Sequence, residues 1–273
     1  MNARYDGLVV LVTGASAGVG LHVSRAFARH GARVMMAARN PQRLEQAAAE
    51  LQKQFPDRIA AFACDVADRQ QVDRLIARTV EQFGRLDILV NNAGTGLIAP
   101  FEMVQAGDAQ SLFTTNFFGP FHCIQAALPV FQRQHSGHIV NVSSLAGLRG
   151  IPNSSVYAAS KAAVIALSDA LRIELKPHGI HVSIVCPGRI RLADTAFFDA
   201  AKKYGPVELY KAPETTAEAV AEAILDAVAN RRRLVVLPFH SRMTYWLNRF
   251  TPGLLDRILY KKMPRIQPAK PTT

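Results

Sequence analysis

A tyrosine and a lysine stand four residues apart in the segment YAASK, which runs from Tyr157 to Lys161. Residues separated by four positions share one face of a helix, so the spacing predicts that the phenol and the ammonium are neighbours. A free tyrosine has a pKa near 10, too high for ready proton exchange at neutral pH, and a cation within about 4–6 Å lowers it. The pair is therefore a candidate general acid/base, and a packed or surface tyrosine is the simpler alternative.

A glycine-rich segment, TGASAGVG, covers residues 13–20 directly after the apolar run LVVLV. Glycine permits the positive φ angles and the close backbone approach that such a turn requires. The helix expected to follow offers free N–H groups and the positive end of its dipole, which suit a pyrophosphate. Strand, glycines and helix together predict a dinucleotide-binding loop rather than a bare tight turn. Its glycines are Gly14, Gly18 and Gly20, in the spacing G-x-x-x-G-x-G.

The end of the second apolar run indicates which dinucleotide binds. Folds specific for NAD usually place Asp or Glu there, to accept hydrogen bonds from the ribose 2′-hydroxyl. This chain instead has Ala38 followed by Arg39. A guanidinium can pair with a 2′-phosphate, so NADP(H) is the predicted cofactor, and the alternative is that Arg39 is an ordinary solvated surface residue.

The elements that must position these residues alternate between apolar runs and helical patterns. Strands are predicted at LVVLV, RVMMAA, IAAFAC, LDILV, HIVNVS, HVSIVC and RLVVL. Helices are predicted at LHVSRAFARHGA, PQRLEQAAAELQKQF, DRQQVDRLIARTVEQFG, residues 108–133, residues 156–176 and TAEAVAEAILDAVAN. Such alternation is typical of βαβ units. We therefore predict an α/β fold: a single doubly wound Rossmann-type domain whose parallel sheet of about seven strands has helices on both faces.

Composition is ordinary for a globular chain of 273 residues, with 49% hydrophobic and 19% charged residues. The three cysteines are far apart, match no metal-ligand spacing and are expected to be buried thiols in a reducing compartment. No apolar run approaches the ~20 residues that a spanning helix needs, and the first residues carry no signal-peptide pattern. We expect a cytoplasmic protein.

The basic character of the chain belongs to its end. Residues 231–273 hold ten Lys/Arg and one acid, while the first 230 residues are nearly neutral. We predict a catalytic domain over residues 1–240 and a basic amphipathic extension over 241–273, whose last residues are expected to be disordered. Apolar residues recur at helical spacing in the extension: Met243, Trp246, Leu247 and Phe250, then Leu254, Leu255, Ile258 and Leu259.

Two interpretations of this extension are open. Its helices can pack on the domain as a pocket wall or subunit contact. Residues 241–265 can instead make peripheral contact with an anionic membrane. Nucleic-acid binding is not expected, because no reading motif accompanies the charge.

Five motifs in order resemble those of the short-chain dehydrogenase/reductase family. They are TGASAGVG, NNAG at residues 91–94, NVSS at residues 141–144, YAASK, and PG at residues 187–188. The resemblance covers roughly residues 5–190, and more weakly the elements up to about Leu237. It implies an oxidoreductase that binds NADP(H), acts on a small-molecule carbonyl or alcohol, and assembles as a homodimer or homotetramer.

The resemblance also implies four catalytic residues. Tyr157 corresponds to the general acid/base, and Lys161 to the residue that holds the nicotinamide ribose and lowers the tyrosine pKa. Ser144 corresponds to the serine that hydrogen-bonds the substrate oxygen, whereas Ser143 would point to the other side of the strand end. Asn116 corresponds to the asparagine that supports a water-linked proton path.

The cofactor-binding residues follow from the same motifs. Asp65 corresponds to the residue that meets the adenine amino group, and Ile190 lies near the nicotinamide carboxamide. The implied cofactor-binding set is Gly14, Ser16, Gly18, Val19, Gly20, Arg39, Asn40, Asp65, Val66, Asn92, Ala93, Gly94, Tyr157, Lys161, Pro187, Gly188 and Ile190. No metal ligand is implied.

The chain departs from the family pattern after the PG motif. Leu192 stands where the family often has a threonine that bonds the carboxamide, and Thr195 or backbone groups can substitute for it. The segment that follows normally closes over substrate and contains Phe197, Phe198, Lys202 and Lys203. With Leu97, Phe101 and Leu148 as further candidates for the cleft wall, an apolar carbonyl compound or alcohol is the predicted substrate.

The sequence thus predicts an NADP(H)-dependent oxidoreductase with Tyr157 as general acid/base. One alternative is a related epimerase or dehydratase with a tightly held cofactor. The other is a cofactor-binding regulatory protein associated with a membrane.

Overall fold

The computed structural model describes residues 4–191, Tyr204 and residues 213–262. Leu192, Thr195, Phe197, Phe198, Lys202, Lys203 and the end of the chain after residue 262 lie outside the described residues. The strands are β1 (Val9–Thr13), β2 (Arg33–Ala38), β3 (Ile59–Ala63), β4 (Ile88–Asn91), β5 (Gly137–Val142), β6 (Ile180–Pro187), β7 (Ile190–Arg191), β8 (Thr215–Thr216) and β9 (Leu234–Leu237).

Helices connect most of these strands. They are α1 (Gly18–Arg29), α2 (Pro41–Gln54), α3 (Arg69–Phe83), α4 (Ala106–Phe113), α5 (Gly119–Gln134), α6 (Leu145–Leu148), α7 (Ser155–Glu174), α8 (Ala217–Ala229), α9 (Phe239–Phe250) and α10 (Pro252–Lys262). Short 3₁₀ turns occupy Phe101–Met103 and Lys176–His178. No helix in the described part of the chain is both long and apolar enough to cross a bilayer.

Seven of the described strands form one sheet in the order β3-β2-β1-β4-β5-β6-β9, and every pairing is parallel. This confirms the predicted α/β, doubly wound parallel fold. β7 and β8 pair separately, Ile190 opposite Thr215, beside the carboxyl end of β6. Neither this pair nor α6 was predicted, because runs of two to four residues carry too little periodicity to be recognised.

The sheet is covered on both faces because its central strands are apolar on both sides. In β1, Val10 and Val12 belong to a core that Phe27 of α1 and Ile224 of α8 complete. The alternate residues Val9 and Leu11 point to the opposite core, with α3 and α5. Side chains alternate across a strand, so an uninterrupted apolar run indicates burial on both faces.

Local capping explains where several helices begin. The Asn40 side chain accepts a hydrogen bond from the Arg43 backbone N–H at 2.9 Å, with Pro41 in the first turn of α2. Asp68 caps α3 through the N–H groups of Gln70 and Gln71. Each such cap stabilises its helix by about 1 kcal/mol.

One predicted helix is interrupted. Residues 108–133 were expected to be continuous, but Thr114–Phe118 form a π turn between α4 and α5. The interruption contains Asn116, a candidate site residue. The three cysteines are buried and free, as expected from their apolar neighbours.

Candidate active site

The strand order places a crevice between β1 and β4. From β1 the chain proceeds outward to β2 and β3, then crosses back to β4 on the other side, so the connections after β1 and β4 leave in opposite directions. In doubly wound sheets, ligands bind at the carboxyl ends of the strands where this reversal occurs. Here those ends carry the glycine-rich loop after Thr13 and the segment Asn92–Gly94 after β4.

Two glycines of the loop are required by close backbone packing. Gly14 has φ +66°, and a Cβ on it would lie 2.8 Å from the Ala93 Cα atom. A Cβ on Gly20 would lie 2.2 Å from the Gly14 carbonyl oxygen. Any side chain at these positions would therefore displace the loop, which agrees with the expectation that the turn needs glycine.

The start of α1 is open to an anionic ligand. Its N-cap residue, Ala17, provides no side-chain hydrogen bond to the first N–H groups of the helix. These N–H groups and the helix dipole suit a phosphate, and Ser16, Gly18 and Val19 lie at this end. The loop and the helix start thus fit the pyrophosphate of a dinucleotide.

Thr13 and Asn92 hold the two strand ends together. The Thr13 hydroxyl accepts hydrogen bonds from the Asn92 and Ala93 N–H groups, both at 3.1 Å. The Asn92 amide donates in turn to the carbonyl oxygens of Thr13, at 2.9 Å, and Gly14, at 3.2 Å. Thr13 received no role in the sequence analysis, although its place at the end of a buried strand was the available signal.

The residues predicted to select the cofactor lie at the ends of β2 and β3. Arg39 and Asn40 are exposed directly after β2, and no described residue pairs with the Arg39 guanidinium. After β3, Asp65 accepts the Ala67 N–H at 3.0 Å. Val66 is buried, and its carbonyl oxygen lies 3.2 Å from His122 Nδ1. These four positions follow neighbouring strands, so they border the same end of the sheet as the glycine loop.

Tyr157 and Lys161 do share one face of α7. The Lys161 Nζ atom lies 6.0 Å from the centroid of the Tyr157 ring and donates a hydrogen bond to the Val142 carbonyl oxygen at 3.1 Å. A Cβ on Gly94 would lie 3.3 Å from the same Nζ atom. The lysine therefore points towards the end of β4, beside the crevice.

Ser144 meets the tyrosine from the end of β5. Its hydroxyl caps α6 by accepting the Ala146 N–H at 3.1 Å, and it is also hydrogen-bonded to the Tyr157 phenol. Ser143 points the other way, as its position on an extended strand end predicts, and donates to the Lys161 carbonyl oxygen at 2.9 Å. The two serines thus separate into one that faces the crevice and one that braces α7.

Asn116 is fully buried in the π turn and locked in place by three hydrogen bonds. Its Oδ1 accepts the Thr95 N–H at 2.8 Å, while its Nδ2 donates to the Thr95 carbonyl oxygen at 3.0 Å and to Ser160 Oγ at 3.1 Å. Ser160 itself donates to the Tyr157 carbonyl oxygen at 2.7 Å. No role was predicted for Ser160, although it stands inside the YAASK motif.

The electrostatics of the pair differ from the expectation. Loss of surrounding water raises the pKa of Tyr157 to about 12, and the hydrogen bond from Ser144 opposes this only in part. Burial lowers the pKa of Lys161 to about 8. In the protein without ligand the pKa of Tyr157 is thus raised, not lowered as predicted, because desolvation is the largest influence on it.

The last predicted contacts lie after β6. Pro187 ends the strand, and the Gly188 N–H donates to the Leu237 carbonyl oxygen at 2.7 Å. A Cβ on Gly188 would lie 2.2 Å from Ser241 Oγ of α9, so the C-terminal helices adjoin this side of the site. Ile190 is half-buried in β7.

Fold and site define a dinucleotide-binding α/β protein with a tyrosine–lysine–serine cluster at its crevice. Residues 8–202 match the short chain dehydrogenase family, and the chain belongs to that family of oxidoreductases, which use a nicotinamide cofactor. This confirms the resemblance seen in the motifs.

Two relatives match over most of their length. The chain is 36% identical over 253 residues to "11-beta-hydroxysteroid dehydrogenase-like 4A" of Arabidopsis thaliana, covering 92% of this chain and 83% of that protein. It is 32% identical over 258 residues to a ketoacyl reductase of Nostoc, covering 92% and 88%. A solved short chain dehydrogenase/reductase from Burkholderia phymatum, in complex with NAD, superposes with a TM-score of 0.82 at 24% identity, covering 98% and 99% of the two chains.

Proposed function

We propose that the chain is an NADP(H)-dependent oxidoreductase that interconverts a carbonyl and a secondary alcohol, with Tyr157 as the general acid/base. The observation that carries the proposal is the hydrogen bond between the Tyr157 phenol and Ser144, with the Lys161 ammonium 6.0 Å from the phenol ring centroid and next to Gly94 at the end of β4. When bound, the nicotinamide cofactor supplies hydride transfer. The chain's own residues handle the proton and hold the substrate oxygen.

In the reducing direction Tyr157 acts as the proton donor. Its raised pKa keeps the phenol protonated at neutral pH, which suits protonation of an alkoxide that develops on the substrate. Ser144 is fixed by its bond with Ala146 and lies next to the phenol, so its hydroxyl can orient the same oxygen.

Lys161 is suited to restore the proton that Tyr157 gives up. Its pKa of about 8 lies close to working pH, so the ammonium can release and regain a proton readily. Asn116, fixed by Thr95 and Ser160, lies on the same side of Gly94 as the Lys161 ammonium. We propose that it completes the path by which this proton is replaced from solvent.

The preference for NADP(H) is proposed from Arg39. No carboxylate stands at the end of β2 to oppose a 2′-phosphate, and the guanidinium is exposed and unengaged by described residues. The solved Burkholderia protein is in complex with NAD, but at 24% identity it speaks for the fold alone.

An apolar carbonyl compound or alcohol is the proposed substrate. The names of the two relatives refer to a hydroxysteroid and a ketoacyl compound, both largely apolar. In this chain Leu97 is buried beyond the end of β4, and Leu148 follows Ser144 in α6. We propose that these side chains contribute to the apolar part of the substrate site.

Turnover with a carbonyl library tests the proposal. NADPH oxidation, followed by its absorbance, should occur with steroid, aromatic or acyl ketones and not with small polar sugars. Tyr157→Phe should lower kcat by at least ~10²-fold while retaining NADPH binding. Full turnover in that variant would contradict the role of Tyr157. Cofactor binding without net NADPH oxidation by any carbonyl would favour the epimerase, dehydratase or regulatory alternatives.

We further propose that the chain acts as a homodimer or homotetramer, because members of the family are commonly oligomeric. Light scattering coupled to size-exclusion chromatography gives the mass directly. A single species near 29.8 kDa at micromolar concentration would contradict the proposal. The cytoplasmic location stays a prediction.

A further inference from the structure

The outward face of α9 carries a row of large apolar side chains. Phe239, Met243, Trp246 and Phe250 are 71%, 54%, 46% and 73% exposed. Their spacing of four, three and four residues places them on one face of the helix. The rings of Trp246 and Phe250 stack at 5.7 Å, which makes the outer part of the row continuous.

The opposite face of α9 is the one that packs on the domain. Ser241 is fully buried against Gly188, and Tyr245 packs on the small core formed by Ile184, Cys186 and Val236. The Asn248 amide donates to the Leu148 carbonyl oxygen at 3.3 Å. The exposed row is therefore not the face by which α9 packs on the domain, because the opposite face already makes those contacts.

Exposed cations accompany the row. Arg242, Arg249, Arg257 and Lys261 are all exposed, and no described carboxylate pairs with any of them. The single acid of this region, Asp256, forms an ion pair with Arg149, which also donates to Asn248 Oδ1 at 3.3 Å. Arg149 thus ties both helices to the end of α6, and its ion pair engages the single acid of α9 and α10.

We propose that α9 and α10 form a docking surface for a membrane that contains anionic lipid. We call this surface, made of the four apolar residues of the row and the four cations, the hairpin surface. A helix with Trp and Phe on one side and unpaired arginines beside them suits the boundary between acyl chains and anionic headgroups. A tryptophan near the middle of the row is typical of the membrane–water interface.

Charge argues against a second copy of this chain as the occupant. A two-fold interface sets the same patch against itself, so the unpaired cations of Arg242, Arg249 and Arg257 would face like charges.

A cavity of about 710 Å³ lies beside α9 and is lined in part by Leu148, Ile165, Tyr245 and Phe250. A volume of this size is typical of small-molecule pockets, and the cavity adjoins the surface that we assign to lipid binding.

The single tryptophan of the chain, Trp246, makes the test direct. The full-length protein is mixed with vesicles of phosphatidylcholine and phosphatidylserine, or of phosphatidylcholine alone, at low and high salt. The proposal predicts a shift of Trp246 emission to shorter wavelength and co-sedimentation with the anionic vesicles, both reversed by salt. Arg242→Gln/Arg249→Gln/Arg257→Gln should weaken this binding roughly a hundredfold, since each cation near an anionic surface contributes about a factor of five.

A second variant and a matched control separate the apolar and charge contributions. Met243→Ser/Phe250→Ser keeps Trp246 and all cations and should also weaken vesicle binding. Ile173→Ser/Arg133→Gln removes an exposed apolar side chain and an exposed arginine elsewhere and should leave it unchanged. Thermal unfolding shows that each variant is folded.

Three outcomes would overturn the proposal. One is the absence of any shift with anionic vesicles at low salt. The second is a shift without vesicles that grows with protein concentration, which would assign the surface to a second copy. The third is an equal, saturating shift with polyglutamate or duplex DNA, which would assign it to an acidic polymer.

Discussion

The protonation state of one half-buried phenol decides how the proposed site works. Burial raises the pKa of Tyr157 to about 12, so the residue is a proton donor at rest rather than a phenolate. The neighbouring Lys161 was expected to reverse this, but its ammonium is engaged by the Val142 carbonyl oxygen, 6.0 Å from the ring centroid. In the proposed mechanism the lysine therefore resupplies the proton of the tyrosine and does not ionise it.

Spectroscopic titration can test this at the level of the single residue. We expect the phenolate absorbance of the cofactor-free protein and of Tyr157→Phe to rise together up to about pH 10, because Tyr157 stays protonated over that range. The difference between the two titrations should therefore show no component near neutral pH. A component with a midpoint near pH 7 that disappears in the variant would contradict the raised pKa. Tyr260→Phe, at an 81% exposed position, calibrates the signal of one tyrosine.

The proposed preference for NADP(H) likewise rests on a single side chain. Arg39→Glu should weaken NADPH binding roughly ten- to hundredfold, because it replaces a charge-assisted bond to the 2′-phosphate by repulsion, and should change NADH binding little. Dissociation constants for both cofactors measure this. Arg133→Glu, an exposed arginine at the far end of α5, is the matched control. Equal losses for NADPH and NADH in Arg39→Glu would reject the assignment.

At the scale of elements, the turn from β1 into α1 has no room for side chains at Gly14 and Gly20. Gly20→Ala would place a Cβ 2.2 Å from the Gly14 carbonyl oxygen, and backbone cannot move away cheaply. We expect a destabilisation of roughly 1–3 kcal/mol and at least a tenfold loss of cofactor affinity, because the loop must open to relieve the clash.

Gly107 of α4 is a control position for the same glycine-to-alanine substitution. A Cβ there would meet nothing within 4 Å, so Gly107→Ala should leave cofactor affinity unchanged and stabilise the helix by up to ~1 kcal/mol. Calorimetry measures the stability of the two variants, and titration measures their affinity for the cofactor. Unchanged affinity in Gly20→Ala would mean that the loop tolerates a side chain and does not cradle the phosphates.

At the scale of the whole molecule, a histidine at the other end of the sheet links stability to pH. His138 is buried, and its Nε2 lies 2.8 Å from Ser183 Oγ. Burial, with a smaller contribution from His181, lowers its pKa to about 3. The folded protein therefore binds fewer protons than the unfolded chain between about pH 6.5 and 3, so the free energy of unfolding falls as pH decreases through this window.

Replacing this imidazole should flatten the pH dependence. Between pH 7.5 and 5, the fall in unfolding free energy should be about 2 kcal/mol smaller in His138→Gln than in the parent protein. Chemical denaturation at both pH values measures the difference. His135→Gln, at an exposed position nearby, should retain the parent's slope. Identical pH dependence in His138→Gln and the parent would show that His138 is not held neutral.

Much of the fold follows from patterns within short stretches of the sequence. Strands of β-branched and apolar residues, a helix begun by Asn40 and Pro41, and a helix ended by Gly84 are properties of short stretches, so the alternating elements were predictable. Five motifs in order, among them the glycine loop and YAASK, likewise predicted the family, because residue types and spacing can be read directly from the sequence.

Other features depend on atoms brought together from distant parts of the chain. At the π turn, the Asn116 amide forms hydrogen bonds with Thr95 and Ser160, 21 and 44 residues away. The pKa values of Tyr157 and Lys161 depend on how much water the surrounding elements exclude, and no spacing encodes that quantity. The sequence showed that α9 is amphipathic, but only the packing of Ser241 and Tyr245 revealed which side is covered. Periodicity along a chain determines which residues share a face, whereas burial and electric environment are set only when several elements meet in space.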